Sequence, residues 1–291
     1  MLLSMTGYGR ATNPFRNKTI MVEIRSLNSK YSDLRIKIPQ HYREHETVLR
    51  RIVTDGTQRG KVDLNIELKS LQGDDEFGLN KPLFRRYYEE LSTLGEDLKM
   101  EKGDLFQAIL RIPNVVSSGL ESIDEEEWQA LLDTLNEAME NFRKFRETEG
   151  QALAADLNER ISIILELLTQ IPPFEQERIE KLRQRLYQNL EDYLGKENID
   201  ENRFEQEILF YLEKMDINEE KVRLEQHCKF FLEEMGKKAK SKGRKLSFIS
   251  QEIGREINTL GAKAYSSDIQ RLVVGMKDEL EKIKEQVANI V

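Results

Sequence analysis

A single cysteine, Cys228, occurs in 291 residues, which excludes an intramolecular disulfide framework, and the absence of any Cys-x-x-Cys pair removes the usual scaffold for structural zinc. A reducing compartment is therefore expected. Met1 to Arg10 contain no apolar stretch of signal-peptide length, and nowhere do about 18 apolar residues follow one another as a membrane span requires. A soluble, cytoplasmic protein with no membrane partner is the expectation. No internal repeat is present, and no run of aromatics marks a base-stacking platform. The formal net charge of −8 excludes a protein that coats nucleic acid through uniform positive charge, so any RNA contact must use a local basic surface.

What is present suffices for one large or two ordinary domains. Period-two apolar positions over 2–12, 19–27, 31–38 and 61–68 predict strands of a twisted sheet. Val48, Leu49, Ile52 and Val53 stand at helical spacing within 44–57, and a second helix is expected over 82–98. Pro113 with Ser117, Ser118 and Gly119 then breaks the pattern, and Asp124 is a candidate N-cap before an acidic first turn. Beyond it helices are predicted near 124–170, 174–194, 203–235, 245–260 and 266–290, punctuated by Pro172-Pro173, Gly195 and the Gly236 to Gly243 segment. The fold class is thus α+β, a β-rich N-terminal domain followed by a long-helix, coiled-coil-like C-terminal region. The expected divisions are 1–120, a helical middle over 121–200, and 201–291 with the candidate metal site. In the last helix Ile269, Leu272 or Val273, Met276, Leu280, Ile283, Val287 and Ile290 follow steps of three and four, a seam for either an intramolecular helix hairpin or packing between subunits.

If 203–235 is one helix, Asp216, Glu220, Arg223 and His227 fall on one face at about 100° per residue, while Lys214, Asn218, Lys221 and Glu225 lie opposite. Leu212, Leu224, Phe230 and Phe231 border the charged stripe, so its members are expected to point inward, where they must pair with one another or bind something. The next helix has Leu246, Ile249, Ile253, Ile257 and Leu260 on its apolar face, with Glu252 and Glu256 on the edge and Gln251 and Arg255 beside them. If the two helices pack together, the carboxylates of Asp216, Glu220, Glu252 and Glu256 converge with the His227 imidazole. Oxygen-rich ligation with one imidazole suits Mn²⁺ or Mg²⁺ better than zinc or copper, and such an ion would serve phosphodiester chemistry. Cys228 is turned about 100° from His227 and reads as a core residue.

Between these helices Lys237, Lys238, Lys240, Lys242, Arg244 and Lys245 crowd into one short segment. They form either a phosphate-binding loop or a solvated connection. Arg10, Arg25, Lys30, Arg59 and Lys61, set among Gly, Ser and Asn, are candidates for a second basic surface.

Several longer motifs carry a resemblance. Ser4-Met5-Thr6-Gly7-Tyr8-Gly9-Arg10, Glu23-Ile24-Arg25-Ser26-Leu27-Asn28-Ser29-Lys30-Tyr31 and Arg59-Gly60-Lys61-Val62 resemble the opening segments of the YicC/YloC family. Arg146-Glu147-Thr148-Glu149-Gly150-Gln151-Ala152-Leu153 is similar to its mid-chain motif, and Arg223-Leu224-Glu225-Gln226-His227 to its histidine segment. Gly243-Arg244-Lys245-Leu246, Gln251-Glu252 and Arg255-Glu256-Ile257-Asn258-Thr259-Leu260 complete the series in order. Gly254 stands where relatives usually carry Asn, and Ala262 and Tyr265 replace the usual Ser and Asn near Lys263. The resemblance implies a bacterial, metal-dependent endoribonuclease assembled as a ring, a hexamer in our expectation, with RNA entering a central cavity and other RNA-decay proteins as candidate partners.

On that reading His227, Glu252 and Glu256 are the catalytic candidates, and Glu220 and Asp216 join them as metal ligands. Arg223, Arg244, Lys245 and Arg255 would neutralise phosphate. Hydrolysis by a metal-bound water is the leading route, and attack by the RNA 2′-hydroxyl with His227 as general base is the second. Two rival functions stay open on the residues: a non-catalytic adaptor that delivers RNA to another nuclease, and a coiled-coil scaffold whose inward charges merely pair.

Overall fold

A computed structural model describes residues 2–29, 31–57, 60–70, 78–99, 103–117, 124–237 and 242–291. Strands β1 (Gly7–Phe15) and β2 (Lys18–Leu27) form an antiparallel hairpin. Strand β3 (Asp33–Lys37) is followed by helix α1 (Glu46–Thr57) and by β4 (Lys61–Ser70). The sheet order is β1-β2-β4-β3, with β4 antiparallel to β2 and parallel to β3, so α1 is the crossover of the parallel pair. Burial alternates along β1 and β2, as one covered and one solvated face require.

A short ladder of β5 (Gly78–Leu79) and β6 (Val116–Ser117) flanks helices α2 (Lys81–Asp97) and α3 (Leu105–Leu110). Asn80 caps α2 by accepting from the Leu83 N–H at 3.2 Å, with a proline in the first turn.

The 45-residue helix α4 (Glu125–Thr169) ties the molecule together. Asp124 caps it, and Glu125, Glu126 and Glu127 complement the positive end of its dipole. At about 1.5 Å per residue it is about 67 Å long, enough to serve two cores. Its first half lays Leu131, Leu135, Ala138 and Phe142 on Ile20, Val22, Ile24, Leu64 and Ile66 of the sheet, with Leu49 and Val53 of α1. Its second half lays Leu157, Ile161 and Ile164 into a bundle core. That bundle comprises α5 (Ile171–Leu194), α6 (Glu201–Lys214), α7 (Asn218–Gly236), α8 (Lys242–Lys263) and α9 (Ser267–Val287).

The family-like motifs at 4–10 and 146–153 are joined here as a clasp. A Cβ on Gly9 would lie 2.2 Å from the Ala138 carbonyl oxygen, and one on Gly150 would lie 2.1 Å from that of Leu2, so both positions require glycine for close backbone approach. Buried Arg146 donates to the Ser4 carbonyl at 2.5 Å and the Thr57 carbonyl at 3.3 Å, and burial lowers its guanidinium pKa. The Met5 N–H meets the Asn289 carbonyl at 2.7 Å and the Val291 N–H that of Leu3 at 3.2 Å, which brings the two ends of the chain together.

Two local expectations are corrected, and a third, left open between two alternatives, is decided for the intramolecular one. Helix α5 begins at Ile171 and not near 174: Pro172 and Pro173 occupy its first turn, where a missing N–H costs nothing, and only Gln170 separates α5 from α4. The expected helix 203–235 breaks at 215–217 into α6 and α7. The seam of α9 is consumed within the chain: Ile269, Val273, Met276, Leu280, Ile283 and Val287 belong to the bundle core with α4 and α8, so it offers no face to a second subunit.

Candidate functional site: the polar seam between α7 and α8

Helices α7 and α8 form an antiparallel pair whose apolar contacts are made by Leu224, Cys228 and Phe231 on one side and Leu246, Ile249, Ile253, Ile257 and Leu260 on the other. Two ion pairs cross it. Near one end the Lys263 ammonium lies 2.8 Å from Glu220 Oε1, and near the other that of Lys245 lies 2.8 Å from Glu234 Oε2. Both glutamates are buried. Their lysines keep the charge satisfied without leaving solvent, because the stem runs along the seam while the head stays wet.

These crosslinks fix the register, and the register locates the histidine. His227 is seven residues from Glu220 and seven from Glu234, two turns or about 10 Å in each direction along α7. The midpoint between Lys245 and Lys263 is Gly254, with Glu252 and Glu256 two positions to either side. His227 is thereby level with the Glu252 and Glu256 pair. Glu256 is only 9% exposed yet makes no hydrogen bond or ion pair among the described residues. Glu252 is 3.2 Å from the exposed Arg255 guanidinium. His227 is half-buried, with no hydrogen-bond or ion-pair partner among the described residues.

The remaining site residues fall elsewhere. Asp216 is not on α7: because the helix breaks before it, Asp216 is exposed and its Oδ1 accepts from the Asn218 N–H at 2.9 Å as a local cap. Arg223 does not point inward; it is exposed and pairs with Glu219 at 2.5 Å, because the new start of α7 supplies an acid one turn earlier. Glu220 is inward as expected, but Lys263 holds one of its oxygens and the other, Oε2, is buried without a partner. The expected convergence of four carboxylates and an imidazole does not occur: among the described residues, no three His, Cys, Asp or Glu side chains form a group that could hold a metal ion. At the seam's midpoint Glu256 has no counter-charge among the described residues, and Glu252 and His227 fall at a similar height along the helices. Cys228 is fully buried, with its thiol pKa pushed up to about 12, as befits a core residue.

Lys242 departs from the expected phosphate-binding set. It is only 5% exposed and donates to the Met235 carbonyl at 2.9 Å, bracing the turn from α7 into α8. Lys237, Arg244, Lys245 and Arg255 are solvent-exposed around the seam; Lys237 and Lys245 both contact Glu234 and lie over the Phe230 ring. Arg10 and Arg25 are exposed on the sheet, Arg25 pairing with Glu23 and lying 5.6 Å from the Tyr8 ring, and Lys61 is half-buried at the start of β4. They lie on the sheet domain, and among the described residues none of them makes a hydrogen bond or ion pair with α7 or α8. Lys30, Arg59, Lys238 and Lys240 lie outside the described residues. Sequence reasoning missed Glu234 and the pairing role of Lys263, although Glu220, His227 and Glu234 repeat at seven, the spacing of a single helix stripe.

The class is set by these features: an α+β protein whose candidate acid–base groups sit on the facing sides of two packed helices, with a sheet domain clasped to the bundle by one shared helix. Residues 2–155 match the family described as the N-terminal region of YicC-like endoribonucleases, and residues 171–291 match its C-terminal part. The chain is 33% identical to the probable endoribonuclease YicC of Clostridioides difficile and 30% identical to that of Haemophilus influenzae, in each case over 100% of both chains. It belongs to the YicC-like endoribonuclease family.

Proposed function

We propose that the protein cleaves RNA as an endoribonuclease and that the middle of the α7–α8 seam carries the chemistry. The observation that supports this most is the level shared by His227, Glu252 and the uncompensated, largely buried Glu256, inside a family whose relatives bear the name endoribonuclease. Glu256 is a largely buried residue with no ion-pair partner among the described residues, and a carboxylate in such surroundings favours a cationic or hydrogen-bonding partner.

His227, Glu252 and Glu256 do not by themselves form a group that could hold a metal ion, so a divalent cation, Mn²⁺ or Mg²⁺, would need further donors such as RNA phosphate oxygens. When bound there it would supply charge neutralisation and Lewis acidity to a phosphodiester. Arg244, Lys245, Arg255 and Lys237 line the approach and set the strand by phosphate contacts, which position RNA without reading its sequence. In the hydrolytic route the attacking oxygen comes from water. In the alternative His227 takes the proton of the RNA 2′-hydroxyl, whose oxygen forms the new bond to phosphorus while the 5′-oxygen of the next nucleotide leaves with its electron pair. The product ends separate the two, because only the second leaves a 2′,3′-cyclic phosphate.

Ring assembly, with a hexamer as the expected form, rests on surfaces other than the buried apolar seam of α9. The function is tested by incubating purified protein with internally labelled RNA in Mn²⁺, Mg²⁺ or EDTA. Endonucleolytic fragments in metal and none in EDTA are expected; intact RNA in every condition would leave binding without cleavage, and the adaptor reading would replace this one.

A further inference from the structure

Away from the seam, a cavity of about 540 Å³ opens between α5, the end of α6 and the turn from α8 into α9. That volume lies in the range of small-molecule sites. Its floor includes Arg178, which is 7% exposed. The guanidinium donates to the Ala264 carbonyl at 2.9 Å and the Met215 carbonyl at 2.7 Å, which locks it in place, and its Nε is buried without a partner.

The charges on the wall are unbalanced. Glu177 is taken up by Lys181 at 2.6 Å and Asp268 by Arg271 at 3.8 Å, whereas Arg185 and Lys214 have no ion-pair partner among the described residues. Ser266 and Ser267 bring the N-terminus of the 21-residue α9 to the same cavity, with its outward N–H groups and positive dipole end. Phe174, Tyr211 and Tyr265 bring aromatic rings to the wall. Tyr211 is half-buried, and Tyr265 is 66% exposed at φ +44°, a left-handed conformation unfavourable for a non-glycine residue. Asn tolerates that conformation far better than Tyr. A large aromatic held there at a cost, over a cationic cavity, needs a reason beyond the turn itself.

We infer that this cavity binds a nucleoside monophosphate, its phosphate between Arg185, Lys214 and the start of α9 and its base against Tyr265 and Tyr211. Unpaired cations and a helix N-terminus select the phosphate; the aromatic faces select a base over a bare anion. The ligand is either a free nucleotide or the phosphorylated terminal nucleotide of an RNA. The inference does not rest on the α7–α8 seam being catalytic, since no residue is shared between the two sites.

Calorimetric titration of the full-length protein with AMP, UMP, adenosine and inorganic phosphate tests it. Saturable binding of at least one of the two nucleotides is expected with a Kd below about 1 mM. Adenosine and inorganic phosphate should each bind at least about tenfold more weakly. The double variant Arg185→Glu, Lys214→Glu should lose at least about tenfold in affinity, and Tyr265→Asn should weaken the nucleotide without weakening inorganic phosphate. Competition then assigns the source: a 5′-phosphorylated oligonucleotide that displaces the nucleotide while its dephosphorylated form does not identifies an RNA end, and a nucleotide that neither displaces is a free ligand. No saturable binding at millimolar nucleotide, equal affinity for inorganic phosphate, or unchanged affinity in the folded double variant would overturn the proposal.

Discussion

Lys263, at the end of α8, holds Glu220, near the start of α7, through a 2.8 Å contact between ammonium and Oε1. The contact raises the lysine pKa, because the charged form gains the hydrogen bond. Removing the lysine leaves a buried carboxylate alone. Lys263→Met should therefore lower stability by about 1–2 kcal/mol, less than for a fully buried pair because the lysine head is partly solvated. Glu220→Gln in the same chain should recover part of that loss. Urea unfolding of the two single variants and the double variant checks it, and a double variant no more stable than Lys263→Met would remove the pair from the account of the seam.

The opposite end of the seam responds to acid. Hydrogen bonds from Lys237 and Lys245 hold the Glu234 carboxyl below the usual carboxylate range. A depressed folded-state value contributes stability that is present above the unfolded value of about 4.3 and is lost as pH falls through the folded one. Melting curves between about pH 3 and pH 6 should thus fall more steeply for the wild type than for Glu234→Gln. Parallel acid limbs would mean that the pair is too solvated to matter.

The clasp between the chain's start and α4 is a matter of space. A Cβ at Gly150 would stand 2.1 Å from a backbone oxygen, whereas one at Gly236 would meet nothing within 4 Å. Gly150→Ala should lower stability by about 3 kcal/mol, the upper end for overpacking, because backbone and not a flexible side chain must move. Gly236→Ala should be close to neutral. Differential scanning calorimetry of both variants decides, with equal melting temperatures as the contrary result.

Much of this was legible in the sequence, and the failures have physical causes. The period-two strands and the cap at Asp124 are local signals, and they appear in the structure as β1 to β4 and the start of α4. The break at 215–217 carries no proline or glycine, so a continuous 3.6-residue pattern ran through it and put Asp216 and Arg223 on the wrong face. The α9 seam is identical in pattern whether its partner is the same chain or another, and only the fold shows that α4 and α8 cover it. Lys242 reads as one cation among several, yet its stem is buried and its head serves a carbonyl.

The basic residues around the seam should separate accordingly. Arg244→Ala, Lys245→Ala and Arg255→Ala combined should weaken RNA binding and reduce the slope of log affinity against log salt by about 2–3, one per lost phosphate contact. Lys242→Ala should instead lower the melting temperature and leave the salt slope alone, because it has no exposed charge to lose. Filter binding at several salt concentrations, with thermal melts alongside, distinguishes the two behaviours; an unchanged slope in the triple variant would make that surface merely solvated.

The central claim is that His227 and Glu256 act on RNA from the middle of the α7–α8 seam, and cleavage measured beside binding tests it most directly. His227→Ala and Glu256→Gln should each reduce the cleavage rate by at least about a hundredfold while assembly mass and RNA affinity stay near wild type, since both lie among the helices and not on the exposed cationic rim. Glu256→Gln keeps the shape of the side chain and removes its charge, so a folding defect is not expected to mask the result. Labelled RNA, limiting Mn²⁺ and single-turnover conditions give the rate. Loss of cleavage with binding retained is the predicted result; wild-type rates in both variants would contradict the assignment of the site.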